Sequence, residues 1–395
     1  MIREVNVYPL YYQPEKLYGD ANGIKPYRST VLIQILTNSG IDGWGECTGP
    51  LPMIVHEAEV LHTKLCGQDE LQRQQILRML QEATPRIRAA VDIALWDILG
   101  KHAGLPISTL LGGAVRERVP VYASLQSYSG GQPHDQWLQQ LLNRIYSNHS
   151  MVKIKIGALP FAEDMQLIQK AIDMLPKGFG IAVDGNQSYD ETSTRRLLFA
   201  LRSYPTIQWL EEPMPLSLTQ SYTRLKQMAP FAIAGGENLA DVRSCIEWMQ
   251  NDAADLIQPD ILHIGGISEL HLLYQYAARF SIRCSPHTFD SGLARLATLH
   301  VASTAKSYTK ANIPWDIDPI EWDEMENPFT NLFEHTMKVE QGYVALPQAP
   351  GLGVSIRKEA LREYIWDKTS PIPPIQKVPS GADGSRGSGD FDRCN

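Results

Sequence analysis

Three short segments within residues 151–213 decide the fold: MVKIKIG (151–157), IAVDGNQ (181–187) and IQWLEEP (207–213). Each segment begins with apolar residues, as a buried strand does, and ends in charged or amide side chains. The residues between the segments have the apolar spacing of amphipathic helices, and this alternation is typical of βαβ units in a parallel sheet. The stretch therefore predicts an α/β fold.

The same alternation extends in both directions from this stretch, beginning near Val119. The candidate strands are Val119–Leu125, Met151–Gly157, Ile181–Gln187, Ile207–Pro213, Phe231–Asn238, Ala254–Asp260, Ile282–Thr288 and Ile313–Trp322. Eight strands at roughly even spacing are the number that a TIM-type β/α barrel requires.

The first third of the chain has a different pattern. Three alternating segments predict antiparallel strands at Val5–Leu10, Ser29–Leu36 and Gly40–Glu46, with a polar loop, Gln13–Tyr27, between the first two. Helical periodicity follows over 56–83 and 85–103. We therefore predict an α+β domain over 1–118, a barrel over 119–327, an irregular C-terminal segment over 328–369 and a disordered tail over 370–395.

Composition limits the class of protein. The chain has 395 residues, 43% of them hydrophobic, and a formal net charge of −8, which argues against a nucleic-acid surface and against an anionic membrane surface. No segment reaches the 18 or so apolar residues of a membrane span, and the N-terminus does not resemble a signal peptide. Five scattered cysteines without a CxxC pair do not fit a disulfide framework or a zinc site. We expect a cytoplasmic protein.

Chemically reactive side chains stand at the end of nearly every predicted strand, in step with the βα repeat. Active sites of β/α barrels are built at these C-terminal strand ends, so the side chains should meet in one cavity. In chain order they are Lys153 and Lys155, Asp184 and Asn186, Glu211, Glu237, Asp260, His287 and Glu321.

Three carboxylates on consecutive strands, Asp184, Glu211 and Glu237, predict a metal site. Carboxylates that converge on one cavity repel each other unless a cation lies between them. A set of oxygen ligands without His or Cys favours Mg²⁺ over Zn²⁺. Such an ion would stabilise the charge that forms when a carboxylate substrate loses its α-proton.

Two candidate acid–base groups flank this metal site. Lys153 and Lys155 alternate on one strand, so both amines share a face, and we expect their mutual repulsion and the metal to lower the pKa of Lys155 enough for it to act as a base. A carboxylate that binds a histidine fixes its tautomer, so Asp260 would make His287 a second acid or base, facing Lys155 across the substrate.

Less specific interpretations were weighed for each of these residues. The lysines could be solvated strand-end residues, the three carboxylates could be helix caps, and His287 could be structural. Asn186 fits a cap or the metal shell equally well. Glu321 competes with two neighbouring acids for its role, and the remaining residues are interpreted as structural: Asp323, Glu324, Glu212, His263, His271 and His300.

These residues resemble the mandelate racemase-like branch of the enolase superfamily over about residues 1–365. The motifs that carry the resemblance are AAVDIALWDILGKHAGLPISTLLGG (89–113), KIK (153–155), VDGNQ (183–187), LEEP (210–213), GGEN (235–238), IQPDILHIGGI (257–267), SPHT (285–288) and PGLGV (350–354). The resemblance implies a modified TIM barrel, (β/α)7β, with an N-terminal α+β capping domain, a C-terminal segment that returns to the cap, and a homo-oligomer.

The resemblance also implies roles for the site residues. Asp184, Glu211 and Glu237 would bind Mg²⁺, and Lys155 and His287 would be bases on opposite faces of the substrate. Asp260 would complete the histidine dyad, Lys153 would assist Lys155, and Glu321 would hydrogen-bond a substrate carboxylate oxygen. The related muconate-lactonising branch has a lysine at the sixth strand end, where this chain has Asp260 with His263 nearby, which argues against lactonisation and dipeptide epimerisation.

The predicted function is Mg²⁺-dependent removal of the α-proton of a small carboxylate through a stabilised enolate. The favoured reaction is dehydration of an acid sugar to a 2-keto-3-deoxy acid, because the loop Tyr12–Tyr27 carries polar side chains suited to a polyhydroxylated substrate: Lys16, Asp20, Asn22 and Lys25. Racemisation or epimerisation of a 2-hydroxy acid is the alternative, since two opposed bases also serve a 1,1-proton transfer. A third hypothesis is a catalytically inactive barrel that acts as a binding protein.

Overall fold

The structure, a computed structural model, describes residues 1–289, 292–307, 316–334 and 337–379. The N-terminal part combines an antiparallel sheet, in the order β1-β4-β5, with helices packed on one face. Its elements are β1 (Ile2–Tyr12), β2 (Tyr18–Asp20), β3 (Gly23–Lys25), β4 (Arg28–Thr37), β5 (Asp42–Cys47), α1 (Leu51–Ala58), α2 (Leu61–Leu65), α3 (Arg73–Met79), α4 (Pro85–Ala103) and α5 (Ile107–Leu110).

The central helix of this part, α4, has the expected start and stop signals. It begins at Pro85, which lacks the N–H that would be unpaired at that position, and it ends before Gly104, whose φ of 70° closes the last turn. The helix lies so close to β5 that a Cβ at Gly45 would be 1.8 Å from Ala90 O. The single helical region predicted over 56–83 was wrong in detail, because the chain breaks at Gly67 (φ 83°) into α2 and α3.

The second part is a barrel of eight parallel strands with seven crossing helices. Its elements are β6 (Arg118–Ser124), β7 (Tyr128–Ser129), α6 (His134–Ile145), β8 (Met151–Lys155), α7 (Phe161–Met174), β9 (Gly180–Asp184), α8 (Glu191–Leu201), β10 (Ile207–Glu211), α9 (Thr219–Met228), β11 (Ala232–Gly235), α10 (Val242–Gln250), β12 (Leu256–Ile257), α11 (Ile261–Ile264), α12 (Ile267–Phe280), β13 (Arg283–Cys284), α13 (Gly292–Thr304) and β14 (Ile320–Asp323).

The strands of the barrel follow the order β13-β12-β11-β10-β9-β8-β6, with β14 paired to β6. The ring is completed by a hydrogen bond of 3.3 Å from Glu321 N to Pro286 O. Buried side chains, among them Tyr122 and Trp209, fill its interior. No helix follows β14 before the 3-10 helix Pro328–Leu332, and this confirms the predicted (β/α)7β barrel with its capping domain.

Several predicted strands extended past the real strand ends, for a local reason. Asn186 and Gln187, included in the third predicted strand, have φ of 41° and 62° and turn the chain away after Asp184. The last strand was predicted at Ile313–Trp322 but spans Ile320–Asp323; residues 313–315 lie outside the described part of the chain.

The C-terminal segment returns to the cap through two short strands and a helix. These are β15 (Val339–Glu340), β16 (Tyr343–Ala345) and α14 (Lys358–Leu361). Backbone hydrogen bonds of 2.8 Å then run from Tyr11 N to Tyr364 O and from Trp366 N to Pro9 O, adding this segment to the edge of β1.

The prediction of a disordered tail from residue 370 is corrected for residues 370–379. Gln376 exchanges two backbone hydrogen bonds with Ile24, of 2.7 and 2.9 Å, and Pro379 O lies 2.9 Å from His134 Nε2. The composition argument failed because these residues form backbone hydrogen bonds with β3, which the local sequence does not reveal. Residues 380–395 lie outside the described residues.

Two further expectations concern helices and cysteines. Among the described residues, no helix is long and apolar enough to cross a membrane. Four of the five cysteines are described, and all four are free thiols: Cys47, Cys66, Cys245 and Cys284.

Candidate active site

A cavity of about 450 Å³ lies between the barrel mouth and the cap. The barrel contributes Lys155, Glu237, Asp260 and His287 to its wall, each from the end of a different strand. The cap contributes Asp20, Asn22 and Lys25 from the hairpin β2–β3, followed by Tyr27, Arg28 and Arg86. Three of the four polar residues expected in the loop Tyr12–Tyr27 thus line the cavity, whereas Lys16 is exposed elsewhere.

The sheet register brings the reactive residues of three strands together. Lys155 pairs with Asp184 across β8 and β9, and Asp184 pairs with Glu211 across β9 and β10. Equivalent positions on neighbouring parallel strands project from the same edge of a sheet, so the three side chains converge. The backbone N–H of Lys155 donates to Ser127 Oγ at 2.7 Å, which fixes the end of β8.

Asp184, Glu211 and Glu237 form the carboxylate triad. One oxygen from each lies within 4.8 Å of the others, so the three could hold a metal ion. Glu237 Oε2 is buried and accepts no hydrogen bond from the described residues, as expected of an oxygen that lacks its ligand. A site of three carboxylates and no His or Cys suits a hard divalent cation.

Lys153 lies beneath the triad and is fully buried. Its Nζ is 2.5 Å from Glu211 Oε1, 3.0 Å from Glu321 Oε1 and 3.4 Å from Asp184 Oδ2. Burial lowers the pKa of Lys153, but the charges of Glu211 and Glu321 outweigh it and raise the pKa well above its ordinary value. This lysine is therefore held as an ammonium.

Lys155 lies closer to the cavity, with Nζ 2.5 Å from Asp184 Oδ2. The predicted fall in its pKa was wrong for this arrangement: burial and Lys153 lower the pKa, but the adjacent Asp184 raises it above its ordinary value overall. The physical reason is distance, since the carboxylate is in direct contact. A divalent cation on Asp184 would compete with Lys155 for the same oxygen.

The carboxylates of the triad have different pKa shifts. Burial raises the pKa of Asp184, but Lys155 and Lys153 lower it below its ordinary value. Burial raises the pKa of Glu211 to about 7, against the opposing charge of Lys153. Glu211 Oε2 also accepts hydrogen bonds from Trp209 Nε1 at 3.0 Å and Gln258 Nε2 at 2.8 Å, so its position is fixed by strands β10 and β12.

His287 and Asp260 form the predicted pair. The Nδ1 of His287 lies 2.7 Å from Asp260 Oδ2, while the other oxygen of Asp260 accepts the N–H of Leu262 at 2.7 Å. The Nε2 of His287 is thereby directed toward Glu237 and Glu321, at 3.3 and 3.4 Å. Burial lowers the pKa of His287, but Glu321 and Glu237, with the hydrogen bond to Asp260, raise it well above its ordinary value.

Glu321 is the acid of β14 that reaches the site, among the three that the sequence left in competition. It is fully buried and approaches both Lys153 and His287. Burial raises its pKa, but His287 and Lys153 hold it below the ordinary value. Asp323 instead pairs with Arg28 at 2.7 Å, and Glu324 pairs with His149 at 2.8 Å.

His263 and Glu212 support Glu237. Nδ1 of His263 lies 2.6 Å from the carbonyl oxygen of Glu237, and His263 lines the cavity. Glu212, fully buried, accepts the N–H groups of Gly236 and Glu237 at 2.8 and 3.1 Å. Sequence reasoning treated His263 as structural; its spacing of three residues from Asp260 across the α11 turn was the signal that could have placed it at the mouth.

Two families of sequence match this chain. The profile described as the N-terminal domain of mandelate racemase / muconate lactonizing enzyme matches residues 21–112, and the enolase C-terminal domain-like profile matches residues 137–360.

Relatives of established name extend over most of the chain. D-galactarolactone cycloisomerase of Agrobacterium fabrum is 31% identical over 351 residues, covering 85% of this chain and 91% of the relative. Arabinonate dehydratase of Saccharolobus solfataricus is 27% identical over 383 residues, covering 92% of this chain and 99% of the relative. L-talarate/galactarate dehydratase of Salmonella typhimurium is 30% identical over 275 residues, covering 69% of this chain and 63% of the relative.

Solved structures show the same architecture. A member of the enolase superfamily from Polaromonas sp. JS666 superposes with a TM-score of 0.83 at 25% identity, covering 95% of this chain and 99% of that one. The 3,6-anhydro-D-galactonate cycloisomerase of Zobellia galactanivorans superposes with a TM-score of 0.81 at 24% identity, covering 93% and 99% of the two chains, and at this identity it supports the fold alone.

Proposed function

Because the chain belongs to the mandelate racemase/muconate lactonizing enzyme family of the enolase superfamily, we propose that it dehydrates an acid sugar to a 2-keto-3-deoxy acid. The observation that carries the proposal is the placement of Lys155 and His287 at the two ends of one carboxylate triad, both lining the same cavity. A base and an acid on either side of a bound substrate are the groups that elimination of water requires.

We assign the triad to Mg²⁺. Asp184, Glu211 and Glu237 would hold the ion, and the buried oxygen of Glu237 that accepts no hydrogen bond supports this assignment. When bound, Mg²⁺ supplies positive charge that stabilises a substrate carboxylate as its α-carbon becomes anionic.

The residues beneath the triad would fix and stabilise the substrate carboxylate. Lys153 is a buried ammonium that contacts Glu321, so the pair offers a donor and an acceptor to the same end of the substrate. Donors already in place where negative charge develops stabilise a transition state without reorganisation. Glu321 would share a proton or hydrogen bond with one substrate oxygen, as its place between Lys153 and His287 permits.

Proton transfer would then proceed on two faces. Neutral Lys155 removes the α-proton through Nζ, and the electron pair of the C–H bond enters the enolate. His287, which Asp260 and the nearby acids favour in its charged form, donates the proton on Nε2 to the β-hydroxyl. The C–O bond breaks, water leaves, and the enol tautomerises to the 2-keto acid.

A single assay tests this reaction. The protein is incubated with Mg²⁺ in D₂O against aldonic, aldaric and uronic acids and simple 2-hydroxy acids, with NMR of the α-proton and a colour reaction for 2-keto acids. A keto acid that disappears with chelator and in the variants Lys155→Met and His287→Asn supports dehydration. Recovery of deuterated acid in both configurations, without keto acid, would instead identify a racemase or epimerase.

A second candidate is ring-opening isomerisation of an acid-sugar lactone, favoured by the 31% identity to D-galactarolactone cycloisomerase. The proton chemistry is the same, but the oxygen that leaves the β-carbon belongs to the ring, so nothing is lost. The missing lysine at the sixth strand end argues against closing a lactone by the muconate route and leaves this ring opening untouched. Mass spectrometry separates the candidates, since an isomerised product keeps the mass of its substrate.

We also propose that the chain forms a homo-oligomer. Exposed apolar side chains on one face of α12, Leu272, Tyr276 and Phe280, support association of the barrels. Light scattering that gives the mass of a single chain at micromolar concentration would exclude it.

A further inference from the structure

The cap side of the cavity carries positive charge that the proposed chemistry does not use. Arg86 and Lys25 both line the cavity, opposite the barrel mouth. Within the described ranges, neither side chain has a carboxylate within 4.0 Å, the limit for the ion pairs identified in this structure. A half-buried cation without a counterion is unfavourable unless a ligand supplies one.

The contacts of Arg86 leave its charge uncompensated. The residue lies in the first turn of α4 and is half-buried. Its Nη1 donates to Thr48 O at 3.3 Å, and its Nη2 lies 3.0 Å from His263 Nε2. Because Nδ1 of His263 faces the carbonyl of Glu237, this ring nitrogen donates and Nε2 accepts. The imidazole is therefore neutral and holds the guanidinium in place without cancelling its charge.

The other cations of the cavity wall already have partners. Arg28 pairs with Asp323 at 2.7 Å, and Lys155 pairs with Asp184 at 2.5 Å. One acid, Asp20, also lines the cap side, but its Oδ1 accepts the N–H of Asn22 at 2.8 Å within its own turn. Arg86 is thus the cavity cation best placed for an anion that the protein does not provide.

The position of Arg86 fixes where such an anion would lie. One imidazole ring, that of His263, separates Arg86 from the backbone of Glu237, the third member of the triad. A sugar acid whose carboxylate occupies the triad would therefore extend its far end toward Arg86. A guanidinium binds a carboxylate through two parallel N–H donors, which a neutral hydroxymethyl group cannot match.

We propose that Arg86, assisted by Lys25, binds a second carboxylate at the far end of the substrate. The preferred substrates are then dicarboxylic acid sugars, that is, aldaric acids or their monolactones, rather than aldonic acids. This inference rests on the proposed function, because it places the reacting carboxylate at the triad.

Steady-state kinetics on matched substrate pairs test the inference. Wild-type protein is expected to prefer galactarate and glucarate over galactonate and gluconate. Arg86→Met should lower kcat/KM about 100-fold for the preferred aldarate, mainly through KM, and leave the aldonate value within about threefold, as loss of a charged hydrogen bond implies. Arg88→Met is the matched control: Arg88 lies on the same helix, but donates to Gln81 O outside the cavity.

Two results would overturn the inference. The first is a wild-type protein that turns over aldonates as well as aldarates. The second is an equal loss on both substrate classes in Arg86→Met, with weaker Mg²⁺ binding, which would make Arg86 a support for Glu237 through His263. Arg86→Lys should recover part of the aldarate rate if charge is what matters.

Calorimetry separates failure of this inference from failure of the proposed function. The dissociation constants of galactarate and galactonate are measured in Mg²⁺ on the Lys155→Met background, with and without Arg86→Met. Selective weakening of galactarate supports the second-carboxylate site even if no acid sugar is dehydrated. Equal affinities in the presence of Arg86 reject the site, whatever reaction the wild type catalyses.

Discussion

Asp260 and His287, at the ends of adjacent barrel strands, are joined by a hydrogen bond of 2.7 Å from Nδ1 to Oδ2. The bond fixes the histidine tautomer and leaves Nε2 directed at the carboxylates of Glu237 and Glu321. Asp260 therefore acts on chemistry only through the orientation and charge of His287.

Asp260→Asn should shift the pH dependence of kcat. Removal of this carboxylate lowers the pKa of His287, since the hydrogen bond and charge of Asp260 both raise it. If protonated His287 is the acid that releases water, activity is lost above its pKa, so the basic limb should move to lower pH. The measurement is a pH–rate profile in saturating Mg²⁺, with His271→Gln, outside the cavity, as control. An unmoved basic limb would assign the acid to another group.

Lys155 and His287 should separate proton removal from water loss. In His287→Asn we expect exchange of the α-proton with D₂O to continue while keto-acid formation falls by about 10³-fold, since the base is intact. In Lys155→Met both should fall together. Loss of exchange in His287→Asn, with exchange retained in Lys155→Met, would reverse the two roles.

Asp184→Asn and Glu237→Gln should each weaken Mg²⁺ binding by about 10- to 100-fold, because each removes an anionic ligand from the triad. Isothermal calorimetry of the protein without substrate measures this directly. Glu324→Gln is the control, because Glu324 pairs with His149 away from the triad. Unchanged Mg²⁺ affinity in both triad variants would place the ion elsewhere.

His300 should make the fold sensitive to mild acid. It is fully buried on α13, accepts the N–H of Ser108 at 3.4 Å and donates to Leu352 O at 3.1 Å. Burial lowers its pKa from 6.5 to about 4, so the unfolded chain gains a proton first as the pH falls. Its stabilising contribution is complete above pH 6.5 and is lost by about 3 kcal/mol as the pH falls through 4.

Urea unfolding at pH 7.5 and pH 5 measures this effect, with His300→Gln as the comparison. The free energy of unfolding of the wild type should fall relative to the variant by about 2 kcal/mol between the two pH values. A constant difference would mean that His300 is already charged, or free to ionise, in the folded protein.

Removal of residues 371–395 should weaken substrate binding more than catalysis. Gln376 pairs with Ile24 in the hairpin β2–β3, and Ile375 lines the cavity, so the segment holds the hairpin over the site. We expect KM to rise about tenfold with kcat within about threefold, as loss of uniform binding does. Removal of residues 380–395 alone is the control. An equal effect of both truncations would assign the role to the last residues.

The sequence predicted most of the barrel and most of the site from local pattern. Alternation of period two identifies strands, and a parallel sheet places equivalent strand ends at one edge, so Lys155, Asp184 and Glu211 had to be neighbours. The same reasoning placed His287 beside Asp260. These conclusions need only the order of residues and the regular geometry of a βα repeat.

Distances across the fold decided the rest. The pKa of Lys155 rises because Asp184 touches it, and a strand pattern cannot show a separation in ångströms. Arg86 comes from a cap helix and meets His263 only because two domains pack together. The sequence by itself thus determined the barrel and the residues at its mouth; the tertiary structure decided their protonation, the far side of the cavity and the path of the C-terminal segment, because these depend on contacts between residues far apart in the chain.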